Sequence, residues 1–510
     1  MPGHTTNPVD QRGANLARGH RAGSGPVAIV DIGSNSVRLV IYEAFARTPA
    51  VVHNEKSICA IGRNMVSTGR LQDEGINLAL EALARFRMLA DAHRVEHRDA
   101  VATAAARDAE NGQEFVLRAE AAWGGPIRVL SGEEEARLAA EGVLAGIPDA
   151  DGVSADLGGG SLDIVTLNGG KTGDALTLPF GPLRLMDISK NDPEKARKLV
   201  DSGLDKLSIL GKLDGRSLYA VGGAWRSLAR VDMEETRYPL HVLHDYKIPR
   251  ARAIKLCRVV AKLSRKSIDK MKIVSRRRAE ALPYGAVVLE QLLHATNMKE
   301  VVISAYGVRE GVLHESLSPD ERAKDPLIDF AAGVNARLAR VPSHAQEIFA
   351  WLEPLFAGEA PDLRRLRHAA CLFSDIGWRR HPDDRALGVF SQVLTAPFAG
   401  VSHRERALLA TAIFHRYSGD EDFPRDIPAH DLLSTEDEQI ARRLGLALRF
   451  VFSLSASAVG ELRHYGLRMT PTRILLEISR GREMIAGDPV QKRLGALAAA
   501  MGRKGEILIG

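Results

Sequence analysis

Two short turns carry the strongest chemical signal in the sequence: D-I-G-S-N-S at 31–36 and D-L-G-G-G-S at 156–161. Each closes an apolar, β-branched run with an aspartate and then offers small residues. Small residues after a strand let backbone N–H groups approach phosphate oxygens, and an aspartate at the strand end can hold a divalent cation. A single glycine turn also arises for steric reasons alone, whereas two related turns facing one cleft point to phosphate. Hydrolysis there needs a base, and SGEEEAR supplies Glu133, Glu134 and Glu135 directly after a predicted strand at 126–131. Successive helical residues diverge by about 100°, so at most one or two of the three face a cleft. Acids at a helix start also stabilise the backbone dipole, and composition does not choose among them. Arg107, at the start of the helix after VATAAA, could hold a phosphate in a planar fork, with a surface salt bridge as the alternative. Neither GxxxxGK[ST] nor a dinucleotide fingerprint occurs, which excludes a Walker-type site.

The elements that must position these residues follow from pattern. VAIVDIGSNSVRLVIYEA at 27–44 reads as a hairpin, 95–104 as a strand, and Ile76, Leu80, Leu83 and Phe86 as one helical face. The segment 153–169 can be laid on 27–43 with an offset of 125, matching Asp31 to Asp156, Gly33 to Gly158, Ser36 to Ser161 and Val40 to Val165. This echo predicts an α/β fold with a duplicated domain whose halves enclose a cleft. Further strand–turn–helix units are expected at 219–230 and 301–315, and a mostly helical texture follows residue 318. The expected divisions are a leader at 1–25, two related α/β domains at 26–140 and 141–318, a helical domain at 319–445 and a small α+β segment at 446–510.

Composition sets the outer bounds. The 510 residues, 45% hydrophobic and 26% charged with a net charge of +5, describe an ordinary globular chain of about three domains. Cys59, Cys257 and Cys371 form no CxxC pair, so neither a disulfide framework nor a zinc finger is expected, and a reducing cytoplasm is the expected location. No run approaches the roughly 18–20 apolar residues of a membrane helix. The modest net charge conceals a local excess: residues 250–278 hold 12 Lys or Arg against one acid, Asp269. Like charges at helical spacing repel, so Lys262, Arg265 and Lys266 are read as a polyanion tract, with a dimer interface as the alternative. Nucleic acid is disfavoured because no recognisable DNA-reading module accompanies the tract.

The motifs VDIGSNSVRLVI (30–41), ATAAARDAENG (102–112), SGEEEARLAAEGV (131–143), DLGGGSLDIV (156–165), VGGAWRSLAR (221–230) and YGVREGVL (306–313) stand in a recognisable order. The chain resembles the exopolyphosphatase/guanosine pentaphosphate phosphohydrolase (Ppx/GppA) family of the actin–hexokinase–heat-shock ATPase superfamily. That resemblance implies duplicated actin-like, ribonuclease-H-like domains and a C-terminal region like a His–Asp phosphohydrolase domain. There CLFSDIG (371–377) has Ser374 where the histidine would stand, so that site reads as degenerate. It further implies Glu135 as base and Gly33, Ser34, Asn35, Arg107, Gly158, Gly159, Gly160 and Ser161 as phosphate-binding. Asp31, Asp156 and Asp163 are implied as Mg²⁺ ligands. The implied substrate is inorganic polyphosphate, with guanosine pentaphosphate or a sensor role as alternatives, and the implied assembly is a homodimer.

Overall fold

The computed structural model describes residues 25–204, 207, 213–275, 278–419, 423–424 and 427–510. They fall into two compact units divided between Ala323 and Lys324. The leader expected at 1–25 lies, except for Gly25, outside the described residues.

The first unit holds two sheets. In one the order is β3-β2-β1-β4-β5, with β1 Val27–Ile32, β2 Ser36–Tyr42, β3 Val51–Ile58, β4 His97–Ala102 and β5 Arg128–Val129. The other runs β10-β11-β9-β6-β7-β8, with β6 Gly152–Leu157, β7 Leu162–Asn168, β8 Lys171–Leu178, β9 Ser217–Gly222, β10 Tyr246–Pro249 and β11 Glu300–Ile303. Each begins with a three-stranded antiparallel meander and continues through a parallel neighbour, β4 on β1 and β9 on β6. The echo in sequence is therefore a repeat in topology, and each half has the actin-like plan. Register matters for the chemistry: Asp31 pairs directly with Arg38 across β1–β2, and Asp156 with Asp163 across β6–β7.

β-Branched and aliphatic residues with burial on both faces make β1 and β6 central strands, since sheets covered on both sides take continuous apolar runs. Phe86 and Trp123 fill the first core, Trp225 and Leu292 the second. The helix Gly132–Gly146 follows β5, and Val308–Glu315 packs against it. Glycines permit this contact: a Cβ on Gly311 would lie 1.8 Å from the Leu138 carbonyl oxygen, and one on Gly142 2.1 Å from that of Gly307. The division expected at residue 140 falls inside the helix Gly132–Gly146, because the connection between halves is itself helical.

The second unit is helical from Pro326–Leu338 through Thr435–Ser455 and ends in a sheet of order β12-β13-β14. These strands are Tyr465–Met469, Arg473–Ile478 and Lys504–Ile509, with helix Asp488–Ala500 between the last two. The division expected at 445 falls inside the helix Thr435–Ser455, which runs on as one buried face. At the degenerate motif, the Ser374 hydroxyl donates to the Cys371 carbonyl, and Asp375 receives the Arg340 guanidinium at 2.6 Å. His368 stacks on Phe349 and His415 meets the Gly419 carbonyl, so these histidines serve local contacts. Among the described residues no helix is long and apolar enough to cross a membrane.

Candidate active site

A cleft of about 210 Å³ opens between the halves of the first unit. The two glycine turns form part of its wall, each closed by the same bond: Gly33 N–H to the Ser36 carbonyl at 3.0 Å, and Gly158 N–H to that of Ser161 at 3.1 Å. They face each other closely enough that a Cβ on Gly159 would stand 3.1 Å from the Cβ of Ser34. Gly33, Ser34, Asn35 and Gly158 to Ser161 all line the cleft, as do Asp31, Asp156 and Glu135.

Helix geometry distinguishes the three adjacent glutamates. Ser131 and Glu134 form a capping box, with the Ser131 N–H donating to the Glu134 carboxylate at 2.8 Å. Glu133 is exposed, while Glu135 is 7% exposed and turned to the cleft. Burial first, and then the neighbouring charges of Asp163 and Asp156, push the Glu135 carboxyl well above the usual carboxylate range. Arg107 opposes that shift. Its Nη1 lies 3.4 Å from Glu135 and donates to the Leu130 carbonyl at 3.0 Å, while its Nε donates to Asp108 at 2.9 Å. Arg107 thus stands behind Glu135 and does not itself line the cleft.

Asp163 is likewise behind the wall, 2% exposed, and accepts from the Ser161 hydroxyl at 2.8 Å. Burial pushes it up to about 6, the Ser161 bond opposing. Asp156 is pushed up to about 7 by burial and then by Asp163, its directly opposed neighbour. Asp31 is paired with Arg309 at 3.1 Å. Oxygen donors suit a hard cation, but among the described residues no three acidic, His or Cys side chains converge as a ligand set. The arrangement fits a Mg²⁺ ion taking one or two carboxylates and completing its shell with water and phosphate, the usual Mg²⁺ pattern.

Sequence reasoning missed the cations of the cleft. Arg38, Lys56, Arg226, Arg278 and Arg309 all line the cleft. Lys56 is pushed down to about 8, first by desolvation and then by Arg278, Arg38 and Arg226. Arg226 is pushed down to about 10 by burial and then by Arg309. Arg38, Arg226 and Arg309 sit inside quoted motifs, and Arg278 ends the basic tract. Lys56 had no sequence signal, because it reaches the site only through its pairing with Arg38 across β2–β3.

The basic tract is partly neutralised. Arg252 pairs with buried Asp232, Arg258 with buried Glu290 at 2.9 Å, and Arg265 with Asp269 and Glu280 at 2.9 and 2.7 Å. Lys262 and Lys266 are exposed and have no carboxylate partner among the described residues; none of the three expected tract residues lines the cleft. Arg276 and Arg277 lie outside the described residues.

Comparison with known proteins places these features in context. Residues 40–319 match the model of the Ppx/GppA phosphatase family, and 327–508 that of the exopolyphosphatase C-terminal region. Exopolyphosphatase 2 of Mycobacterium tuberculosis is 29% identical over 310 residues, 56% of this chain and 97% of that protein. Retrograde regulation protein 2 of Saccharomyces cerevisiae is 26% identical over 468 residues, 83% of this chain and 78% of that one. The Aquifex aeolicus Ppx/GppA family member superimposes with a TM-score of 0.50 at 28% identity, over 58% of this chain and 100% of its own.

Proposed function

The chain belongs to the Ppx/GppA phosphatase family, and we propose that its cleft removes the terminal phosphate of inorganic polyphosphate by attack of water. The observation carrying this reading is a cleft wall that bears five cations together with the buried carboxylate of Glu135. A linear polyanion needs such a wall along its length and a base at only one end. The exopolyphosphatase name of the mycobacterial relative supports the same substrate.

In this mechanism the Glu135 carboxylate accepts a proton from water as the water attacks the terminal phosphorus in line. Backbone N–H groups of the two turns, with the Ser34 hydroxyl, bind the equatorial oxygens where charge develops. Arg38, Lys56, Arg226 and Arg278 hold the phosphates upstream of the scissile bond, so the leaving chain departs with its charge compensated. Mg²⁺ held by Asp31 or Asp156 would neutralise the phosphate oxygens. Asp163 fixes the Ser161 hydroxyl, and Arg107 orients Glu135.

The direct test measures phosphate release from long polyphosphate, tripolyphosphate and guanosine pentaphosphate by the parent chain and Glu135→Gln. Loss of one carboxylate base should cost about 10²–10⁴-fold in kcat, with polyphosphate preferred by the parent. Undiminished release by the variant would remove Glu135 from the mechanism. Preference for guanosine pentaphosphate would reassign the substrate. The regulatory name of the yeast relative favours a second reading, a non-catalytic sensor that keeps the turns; binding of polyphosphate without any release would select it.

A further inference from the structure

The second unit contains a cavity of about 280 Å³ where the helical part meets the small sheet, and none of its lining residues belongs to the cleft. Its walls are apolar: Leu366, Leu408, Ile440 and Leu444 come from three helices, and Met469 and Met501 from the sheet side. Methionines adapt their shape to what they contact. Glu359 and three arginines also line it, and the arginines differ in how their charge is balanced. Arg367, 1% exposed, is bonded to Glu359 and Glu353 at 2.8 and 2.6 Å and is internally neutralised.

Arg443 and Arg503 have no carboxylate within ion-pair distance among the described residues. Backbone carbonyls alone fix them: Arg443 Nε donates to Ala500 at 3.0 Å, Arg503 Nε to Thr470 at 3.0 Å and its Nη1 to Met501 at 2.7 Å. Neither residue is fully exposed. Two held cations with unbalanced charge beside an apolar cavity are the complement of an amphipathic anion, and pockets that combine an apolar body with a few placed polar groups are the usual form of small-molecule sites. A dry cavity of about 150 Å³ takes benzene, so this one has room for roughly twice as many atoms.

We propose that this cavity is a second ligand site, independent of the cleft, for an amphipathic anion with an apolar portion of about eight carbons and a carboxylate or phosphate head held by Arg443 and Arg503. Calorimetric titration of the full chain with octanoate, octyl phosphate, octanol and acetate tests it. Both anionic amphiphiles should bind at least tenfold more tightly than octanol, and acetate should not bind. Arg443→Gln and Arg503→Gln should bring octanoate to the level of octanol, and Leu366→Trp, which fills the cavity, should abolish binding. Tighter binding of the carboxylate assigns a fatty acid as the source, and tighter binding of the phosphate a phosphomonoester. Octanol binding as tightly as octanoate in the parent chain would overturn the role of the arginines without reliance on any variant. Absence of binding by both anionic amphiphiles at millimolar concentration would make the cavity a packing void.

Discussion

Glu135 illustrates how a site stores cost in a single residue. Its carboxyl is held above the usual range by burial and by Asp163 and Asp156, so the folded chain binds that proton more tightly than the unfolded one. Stability from such a group is complete below the unfolded pKa, about 4.3 for glutamate, and is lost as pH rises toward the folded value. Gln at this position cannot ionise and escapes the loss. Glu135→Gln should therefore match the parent near pH 4 and exceed it by about 1.4 kcal/mol per pH unit above that, until Glu135 ionises in the folded parent. Urea unfolding between pH 4 and 8 measures this; a difference independent of pH would contradict the environment described for Glu135. Composition did not separate the three glutamates and the resemblance did; the physical reason, Ser131 recruiting Glu134 into the cap, was legible in the S-x-x-E spacing.

At the scale of elements, the site depends on how closely two helices approach. Gly132–Gly146 carries Glu135 and Val308–Glu315 carries Arg309, and Gly311 lets their backbones meet. A methyl at Gly311 would overlap the Leu138 carbonyl and force the helices apart. Gly311→Ala should lower unfolding free energy by about 3 kcal/mol, the upper part of the range for overpacking, and reduce phosphate release at the same time. A variant as stable and active as the parent would mean the contact is not required. Strands and turns were largely legible because their signals are local: β-branched runs, glycine turns and the 125-residue echo. The Lys56–Arg38 pair was not, since register between strands is a tertiary outcome and like charges placed directly opposite are locally unfavourable.

For the whole molecule, the charge distribution matters more than the sum of +5. The basic tract was legible as a run of charge, but its neutralisation by Asp232, Glu290 and Glu280 was not, because those acids come from other elements. Lys262 and Lys266, exposed and without a carboxylate partner among the described residues, are the part of the tract that the proposed function would assign to a long polyanion. Lys262→Glu with Lys266→Glu should raise KM for long polyphosphate severalfold and leave tripolyphosphate unchanged, with the difference shrinking as salt screens both; equal effects on the two substrates would confine recognition to the cleft. The paired registers have one more consequence. Position 38 in the first half is the counterpart of position 163 in the second, and duplication has left an arginine at one and an aspartate at the other. Two copies of one hairpin thus present opposite charges at the same register position. On the proposed function, a thread of negative charge would lie against the first hairpin, whose Arg38 lines the cleft, and not against the second, whose Asp163 stands behind Ser161. The polarity proposed for the cleft would then descend from one inherited position that changed sign.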